Sequence, residues 1–422
     1  MKVWLRTFGC RANQYDSEAV RAMILAAGGE IAESARDADV AVFNSCAVTA
    51  DAEADLRQAV RRAARERPEL RSVVMGCAGA LPRAHDDARN PRALPTVSDV
   101  VPGADLAAVA VAIGLPPSSG AVATTAQTGS RALLRVQDGC DEHCTFCATT
   151  IARGASRSRP IGALVGEAER LADSHPEIVV TGVHIGNYGV DVGSSLGALV
   201  ERLVADVPRV RFRLTSVEAT EVDDRLRALL REGGDRVCPY LHAPLQSGSD
   251  RVLRRMGRHW YTADAYADAV ERLVDGHNAF GLGADVIAGF PGETEADHAA
   301  TLALVARLPF TALHVFPYSE RPGTAAARLG PAVDPATAAR RSAELRALGA
   351  AKAAAHRARR IGTVADVVVV GDGARGTGLT EDYLTVAVDA GMPRRSRFAA
   401  RLEDDGGGPL VARRVSHSDV LC

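Results

Sequence analysis

Eight residues near the middle of the chain, from Cys140 to Cys147, constrain it most, because they hold three cysteines in the pattern CxxxCxxC. If this segment forms a loop, all three thiols can turn towards one centre. Cysteine thiolates are the usual ligands of iron–sulfur clusters. A four-iron cluster held by three cysteines keeps one iron without a protein ligand, and that iron can bind a small molecule. The pattern therefore predicts a cluster with an open coordination position.

Two other interpretations of this segment stay open. A structural zinc site usually has four ligands, often in two separated pairs. His143 could supply the fourth ligand, although its place between Cys140 and Cys144 is awkward. The three thiols could also be unrelated buried side chains. Ligand number and spacing favour the cluster, and Phe146, just before the third cysteine, would shield it from water.

The first third of the chain alternates strands with helices, which predicts a doubly wound parallel sheet. The predicted elements are strands at 3–7, 40–43 and 72–75 and helices at 13–27 and 49–66. A cysteine follows each strand: Cys10, Cys46 and Cys77. Ligands gather at the carboxyl ends of parallel strands, so these thiols are predicted to hold a second three-cysteine cluster. Taken singly, Cys46 or Cys77 would be an ordinary small core residue.

Three N-terminal segments carry a resemblance to a known family: Thr7–Glu18 (TFGCRANQYDSE), Asn44–Thr49 (NSCAVT) and Gly76–Cys77. Together with the central cysteine motif, they resemble the radical S-adenosylmethionine (SAM) methylthiotransferases. The resemblance implies that the open iron binds SAM and cleaves it to a 5′-deoxyadenosyl radical, with Cys140, Cys144 and Cys147 as the catalytic ligands. It also implies that the N-terminal cysteines hold an auxiliary [4Fe–4S] cluster that handles incoming sulfur. The expected cofactors are therefore two [4Fe–4S] clusters and SAM.

The chain departs from the family pattern at two places. After Cys77 the family has an aromatic or small residue and then Ala-Gln, whereas this chain has Ala78-Gly79-Ala80. After Cys147 the family has two bulky aliphatic residues and Pro-Tyr, whereas this chain has Ala148–Ile151. All six cysteines are kept, so we expect a difference only in the packing around the clusters.

Residues 132–360 alternate strands and helices, which predicts a partial TIM-like (βα)6 barrel with a closing helix. Its predicted strands are 133–136, 178–181, 210–214, 237–242, 284–287 and 312–316. Segments after these strands resemble family signatures and imply cofactor contacts from Phe146, Gly182, His184, Gly186, Glu218, Gln246 and Asp285. A glycine run alone is more often a turn. For Glu218, a bond to a ribose hydroxyl competes with an ordinary exposed glutamate.

The expected domains are 1–114, carrying the auxiliary cluster; a linker at 115–131; the radical SAM core at 132–360; and a small antiparallel β domain at 361–422. The strands predicted for the last domain are 364–370, 378–388 and 398–402. This domain weakly resembles the TRAM-like RNA-binding domain of the family. Residues 352–422 contain 11 Lys or Arg against 9 Asp or Glu, so charge alone does not indicate RNA binding. The candidate phosphate contacts are Arg153, Arg157, Arg159, Arg394, Arg395 and Arg397. A solvated loop is the alternative for the first three.

Composition places the chain among ordinary globular proteins, with 47% hydrophobic and 24% charged residues and a formal net charge of −2. The start of the chain lacks a signal-peptide pattern, and no apolar run reaches the ~20 residues of a membrane span. Eight cysteines in such a chain suggest reduced thiols that bind metal, and we expect a cytoplasmic protein without a membrane partner. Cys238 and Cys422 are interpreted as structural and incidental.

The family resemblance implies an enzyme that adds a methylthio group to C2 of N6-threonylcarbamoyladenosine, next to the tRNA anticodon. Segments Cys10–Asp16 and His314–Ser319 look closest to that branch. Isopentenyladenosine in tRNA and an aspartate of a ribosomal protein are the other family substrates. The expected partners are tRNA, a flavodoxin- or ferredoxin-like electron donor and a sulfur donor. A non-catalytic iron–sulfur protein, RNA-binding or redox-sensing, is the alternative of another class; Gly182, Gly186 and Gly189 favour the enzyme.

Overall fold

A computed structural model describes residues 1–84, 87, 89–117, 126–277, 279–372, 376–406 and 408–415. The chain divides into two compact units. Unit 1 comprises residues 1–127, 137–157 and 319–328, and unit 2 comprises 128–136, 158–318 and 329–422. Both cysteine sets belong to unit 1, because the central cysteine loop groups with the N-terminal residues.

Strands and helices alternate along most of the chain. The strands are β1 Lys2–Thr7, β2 Glu30–Ile31, β3 Val40–Ser45, β4 Arg71–Gly76, β5 Val97–Pro102, β6 Ala132–Arg135, β7 Gln137–Asp138, β8 Arg157–Ser158, β9 Glu177–Thr181, β10 Arg211–Leu214, β11 Tyr240–His242, β12 Gly281–Ala288, β13 Ala312–Pro317, β14 Val364–Gly371, β15 Gly376–Leu379, β16 Thr385–Val388, β17 Arg397–Glu403 and β18 Val411–Arg414. The helices are α1 Arg11–Ala26, α2 Ala50–Glu66, α3 Leu106–Ile113, α4 Thr149–Arg153, α5 Ile161–Ala172, α6 Leu196–Asp206, α7 Asp224–Glu232, α8 Asp250–Arg255, α9 Ala263–Val274, α10 Glu295–Arg307 and α11 Pro335–Arg360.

Unit 1 is built on a five-stranded parallel sheet with strand order β2-β1-β3-β4-β5. β3 is buried along its whole length, as expected for a central strand covered on both faces. Leu56 and Val60 of α2 pack on one face. Val20 of α1 and Val109 of α3 pack on the other. The predicted parallel sheet is thus confirmed, and unit 1 also contains β2, β5 and α3, which were not predicted from the sequence.

Two later stretches of the chain complete unit 1. Residues 137–157 contain the central cysteine loop and the short helix α4, whose Ala148 end packs with Ala47 and Leu81. Residues 319–328 attach through Arg321, which lies 3.3 Å from Glu53, and Glu53 also binds Arg83 at 2.7 Å. These contacts tie segments that are far apart in sequence, so periodicity alone could not predict their grouping.

Unit 2 contains six parallel strands in two three-stranded sheets, β10-β9-β6 and β11-β12-β13. Isolated parallel bridges, Phe212 with Val237 and Ser216 with His242, connect β10 to the segment that carries β11. At least one helix separates each pair of successive strands. Leu134, Leu241 and other apolar side chains of these strands share one core with the surrounding helices. The alternating α/β architecture expected for this region is present.

The C-terminal part of unit 2 is a long helix followed by a closed β barrel. Asp334 caps α11 by accepting a hydrogen bond from the Thr337 N–H at 3.0 Å. The barrel has strand order β14-β15-β16-β18-β17, and of its pairs only β16–β18 is parallel. The predicted strand 378–388 is interrupted at Tyr383, whose φ of 72° turns the chain between β15 and β16. The short strand β18 was not predicted.

A fully buried carboxylate connects the two parts of unit 2. Glu177 at the start of β9 accepts hydrogen bonds from Arg211 and Arg213 of β10 at 2.7–3.1 Å. Arg211 donates to the backbone oxygen of Asp366 at 2.5 Å, and Arg213 to that of Thr380 at 2.8 Å. The buried arginines therefore join the parallel strands to the C-terminal barrel.

Two sequence predictions fall partly or wholly outside the described residues. Of the predicted linker 115–131, residues 118–125 lie outside them, and so does Cys422. α3 ends before this segment at Gly114, which has a left-handed φ of 87°. Within the described part of the chain, no helix combines the length and apolar character needed to cross a membrane.

Candidate functional site

The carboxyl edge of the unit 1 sheet carries Cys10, Cys46 and Cys77. The register pairs Thr7 with Asn44 and Ser45 with Gly76, so β1, β3 and β4 end close together. Each strand delivers its cysteine within three residues of its end. Cys10 occupies the N-cap position of α1. The strand ends thus gather the three predicted ligands at one edge.

Gly9 allows the end of β1 to approach Cys46. Its φ is +97°, and a Cβ there would lie 2.5 Å from Cys46 Cβ and 2.8 Å from Cys46 Sγ. Neither the backbone angle nor the space suits another residue.

Gly9→Ala should therefore lower the iron that this edge binds. Gly28→Ala is the matched control, because Gly28 has a φ of +76° but nothing within 4 Å of an added Cβ. We expect both variants to lose about 1–2 kcal/mol of stability from the left-handed backbone. Only Gly9→Ala should lose iron, measured by colorimetric assay after anaerobic reconstitution. Equal iron in the two variants would show that the Cys46 contact is unimportant.

The environment of these thiols combines burial with a backbone donor to sulfur. Burial raises the pKa of Cys46, and it raises the pKa of Cys77 to about 11, so both are protonated without metal. The Val48 N–H donates to Cys46 Sγ at 3.4 Å, as hydrogen bonds to cluster sulfurs do. Metal binding displaces the thiol proton. Three thiols on three strand ends fit a three-cysteine cluster.

The central cysteine loop is held mainly by its own backbone. Cys140 N–H donates to Gly154 O at 3.0 Å, and Cys147 N–H to Cys144 O at 3.1 Å. Thr149 N–H donates to Cys147 Sγ at 3.4 Å, which again is a hydrogen bond to a potential ligand sulfur. Phe146 is half-buried beside the third cysteine. The donor set fits the open four-iron cluster that the motif predicts.

Arg153 lies between the two cysteine sets of unit 1. Its side chain is 2% exposed and donates to Asp16 at 2.7 Å, Asn13 at 3.2 Å and Asp138 at 3.0 Å. The guanidinium also lowers the pKa of Cys77, against the larger effect of burial. Arg153 was a candidate RNA contact, but in the structure it is an interior link between α1 and the central loop.

Two of the predicted SAM-contacting residues in unit 2 meet a glutamate that the sequence analysis did not select. His184 Nε2 lies 2.8 Å from Glu221 Oε1. A Cβ on Gly186 would lie 1.8 Å from Glu221 Oε2, so only glycine admits this carboxylate. Gly182 directly follows β9, which ends at Thr181. The segment from Gly182 to Gly186 therefore packs against Glu221.

Glu218 is buried after β10 instead of being an ordinary exposed glutamate. Its two oxygens accept hydrogen bonds from Arg258 and from the indole N–H of Trp260. Burial raises its pKa, and Arg258 opposes this effect. Each carboxylate oxygen has a second lone pair, so the contact with a ribose hydroxyl stays a prediction.

Asp285 contacts two histidines on the neighbouring strands of unit 2. Its Oδ1 lies 3.0 Å from His242 Nε2 and 3.3 Å from His314 Nδ1. These hydrogen bonds keep the pKa of Asp285 well below its usual range despite burial. Gln246 is held beside them with a φ of +62°, its N–H donating to Asp285 O at 2.8 Å.

The remaining candidate RNA contacts mostly have partners inside their own unit. In unit 2, Arg159 binds Glu167 at 2.6 Å, Arg397 binds Asp366 at 2.8 Å, Arg394 donates to Ser130 Oγ at 3.0 Å and Arg395 donates to Ser174 O at 3.2 Å. Arg157, in unit 1, is exposed. Arg394 and Arg395 therefore attach the β barrel to the rest of unit 2, and Arg397 pairs within the barrel. The RNA contacts of all three stay a prediction.

Both family comparisons agree with the two cysteine sets. Residues 2–93 match the family described as "Uncharacterized protein family UPF0004", and residues 134–305 match the radical SAM superfamily. A threonylcarbamoyladenosine tRNA methylthiotransferase of Thermotoga maritima is 36% identical over 344 residues, 78% of this chain and 77% of the relative. The chain belongs to the radical SAM methylthiotransferases. It is therefore an enzyme of this class, whose radical SAM domain uses a [4Fe–4S] cluster and SAM.

Relatives of two substrate types match this methylthiotransferase at similar identity. The threonylcarbamoyladenosine enzyme of Bacillus subtilis is 36% identical over 79% of this chain and 76% of its own. A tRNA-2-methylthio-N(6)-dimethylallyladenosine synthase of Sorangium cellulosum is 36% identical over 89% of this chain and 83% of its own. Both substrate branches of the family are therefore represented among its relatives at 36% identity.

A solved radical SAM enzyme shares the fold of this methylthiotransferase. The structure of the radical S-adenosylmethionine methyltransferase TsrM from Kitasatospora setae superposes with a TM-score of 0.55 and 14% identity. The match covers 82% of this chain and 89% of TsrM. At this identity the likeness concerns the fold alone.

Proposed function

We propose that this methylthiotransferase modifies N6-threonylcarbamoyladenosine in tRNA, next to the anticodon, by adding a methylthio group at C2. The observation that carries the proposal is the presence of two separate three-cysteine sets in unit 1. Relatives of both tRNA substrate types support tRNA as the substrate, and those named for threonylcarbamoyladenosine include the Thermotoga and Bacillus enzymes. Dimethylallyladenosine is the second candidate, supported by the Sorangium relative.

We infer that the chain holds two clusters with different tasks. Cys140, Cys144 and Cys147 would bind the cluster that cleaves SAM and supplies the radical which abstracts hydrogen from the substrate. Cys10, Cys46 and Cys77 would bind an auxiliary cluster for the sulfur. The protein holds the first three on one short loop and the second three on separate strand ends. A flavodoxin- or ferredoxin-like electron donor and a sulfur donor are the expected partners.

Single cysteine variants should separate the two tasks. Cys144→Ala should abolish both 5′-deoxyadenosine release and methylthiolation. Cys46→Ala should still release 5′-deoxyadenosine but form no methylthio product, and it should bind about four fewer irons per chain. Cys238→Ala, a buried thiol beside Glu177 in unit 2, is the matched control and should keep both clusters. Full methylthiolation by Cys46→Ala would contradict the auxiliary cluster.

The substrate is tested by mass spectrometry of tRNA nucleosides from cells with and without the gene. We expect loss of the methylthio mark from threonylcarbamoyladenosine alone. Loss from dimethylallyladenosine instead would keep the chemistry and change the branch. An unchanged tRNA would direct the search to ribosomal proteins, and absence of 5′-deoxyadenosine in vitro would favour a non-catalytic iron–sulfur protein.

A further inference from the structure

Three neighbouring strands of unit 2 bring together His242, Asp285 and His314. β11, β12 and β13 are parallel, and the register places His314 directly opposite Asp285. One ligand atom from each residue lies within 4.8 Å of the other two. Of these residues, only Asp285 was selected from the sequence, so the cluster is a feature that the fold creates.

His314 and Phe316 project from one face of β13. Leu313 lies against Gly349 of α11, and Val315 belongs to the buried core. Because side chains alternate along a strand, His314 and Phe316 lie on the face away from that helix. Both side chains are exposed on this face: His314 is 59% exposed and Phe316 38% exposed. Their rings are perpendicular, with centroids 6.5 Å apart.

Asp285 determines which nitrogen of His314 faces a ligand. The Asp285 carboxylate accepts a hydrogen bond from Nδ1, so Nδ1 carries a proton. The same hydrogen bond fixes the orientation of the imidazole ring. Among the described residues, Nε2 of His314 has no hydrogen-bond partner. The hydrogen bond to Asp285 raises the pKa of His314, which favours a positive ring with Nε2–H as a free donor. A charged donor of this kind pairs best with a carboxylate.

We propose that Phe316 and His314 form the subsite for the substrate nucleoside, Phe316 stacking on the base and His314 binding a carboxylate on its N6 substituent. This inference rests on the proposed function and deepens it. A threonylcarbamoyl group ends in a carboxylate, whereas a dimethylallyl group is apolar. Exposed aromatic rings are the usual platforms for unstacked RNA bases. Asp285 is a positioning residue, acting through His314.

A divalent cation is the rival occupant, since two imidazoles and a carboxylate are ligands for several metals. The geometry favours the acidic nucleoside for two reasons. Oδ1 of Asp285 lies within hydrogen-bond distance of both imidazoles, which accounts for the cluster without an ion. The exposed Phe316 beside it has no use in a metal site but suits a base.

The test compares two anticodon stem-loop RNAs that differ in one group, the free threonylcarbamoyl carboxylate or its methyl ester. Binding to reconstituted holoenzyme is measured by fluorescence anisotropy, for the native chain, His314→Asn and Phe316→Leu. We expect the native enzyme to bind the acid about tenfold more tightly than the ester, because a charge-assisted hydrogen bond is lost. His314→Asn should bind both RNAs equally. Phe316→Leu should weaken both by about tenfold, because stacking does not depend on the carboxylate.

The other outcomes overturn the inference in distinguishable ways. A native enzyme that binds acid and ester equally has no carboxylate subsite. If the native enzyme binds one equivalent of zinc or manganese that His314→Asn does not bind, the His242–Asp285–His314 group is a metal site. Methylthiolation of the acid RNA is followed in parallel. If the methylthio product forms but the enzyme binds the acid and the ester equally, the subsite is rejected and the proposed function stands. Discrimination without product, while 5′-deoxyadenosine still forms, rejects the proposed function and keeps the subsite.

Discussion

Glu177→Gln should destabilise unit 2 more than any surface substitution. The fully buried carboxylate binds Arg211 and Arg213, which are themselves about 0–1% exposed, and Arg131 at its edge. Burial opposes ionisation, but the paired arginines outweigh it and hold the pKa of Glu177 well below its usual range, so the carboxylate is charged at neutral pH. The amide of glutamine leaves two buried cations without their anion, which costs about 3–5 kcal/mol. Urea unfolding monitored by circular dichroism gives the free-energy change.

The matched control is Glu201→Gln on the surface of the same unit. Glu201 pairs with Arg225 at 3.3 Å, but both side chains are more than half exposed. Exposed ion pairs contribute about 0–1 kcal/mol, so the control should unfold almost like the native chain. Because Arg211 and Arg213 also bind backbone oxygens of the C-terminal barrel, Glu177→Gln should loosen that barrel first. Limited proteolysis after α11 would show this, and equal stability of the two variants would contradict the role of Glu177.

The sequence predicts the elements of this fold better than their grouping. Strands such as β3 and helices such as α2 have clear apolar patterns, and capping or turn residues mark their ends. Their bounds are therefore predicted to within about three residues. The weakest predictions concern short or polar elements, as with β18. The grouping of residues 137–157 and 319–328 with the N-terminal sheet depends on tertiary contacts such as Arg321 with Glu53. No local pattern records such contacts.

For the candidate site, too, some residues can be predicted from the sequence, whereas their tertiary partners cannot. The six predicted cluster cysteines can be selected from the sequence, because ligand spacing and strand ends indicate them without knowledge of tertiary contacts. The partners of the other residues are not visible. No sequence motif marks Glu221, Arg258 or His314. Each becomes a candidate site residue only because the fold places a partner from another strand or loop beside it. Arg153 is the clearest example, since three arginines in one loop suggested phosphate contacts, whereas the partners of Arg153 in the fold are carboxylates.

Arg153→Gln should both destabilise unit 1 and lower its iron content. The guanidinium donates to Asp16 of α1 and to Asp138 of the central loop segment. Its loss leaves two carboxylates without their shared cation, one of them only 1% exposed, which costs about 3–5 kcal/mol. It also removes a positive charge that favours the Cys77 thiolate. Iron content and thermal unfolding of the reconstituted variant measure the two effects separately.

Arg157→Gln, four residues away in the same loop, is the matched control, because Arg157 is exposed. The double variant Arg153→Gln with Asp16→Asn should recover part of the stability, since it removes the buried charge that the single variant leaves behind. It should not recover iron, because Cys77 still lacks its neighbouring cation. If Arg153→Gln instead matched Arg157→Gln in stability and iron, the link between α1 and the cysteine loop would be dispensable, and the two cysteine sets would be organised independently of each other.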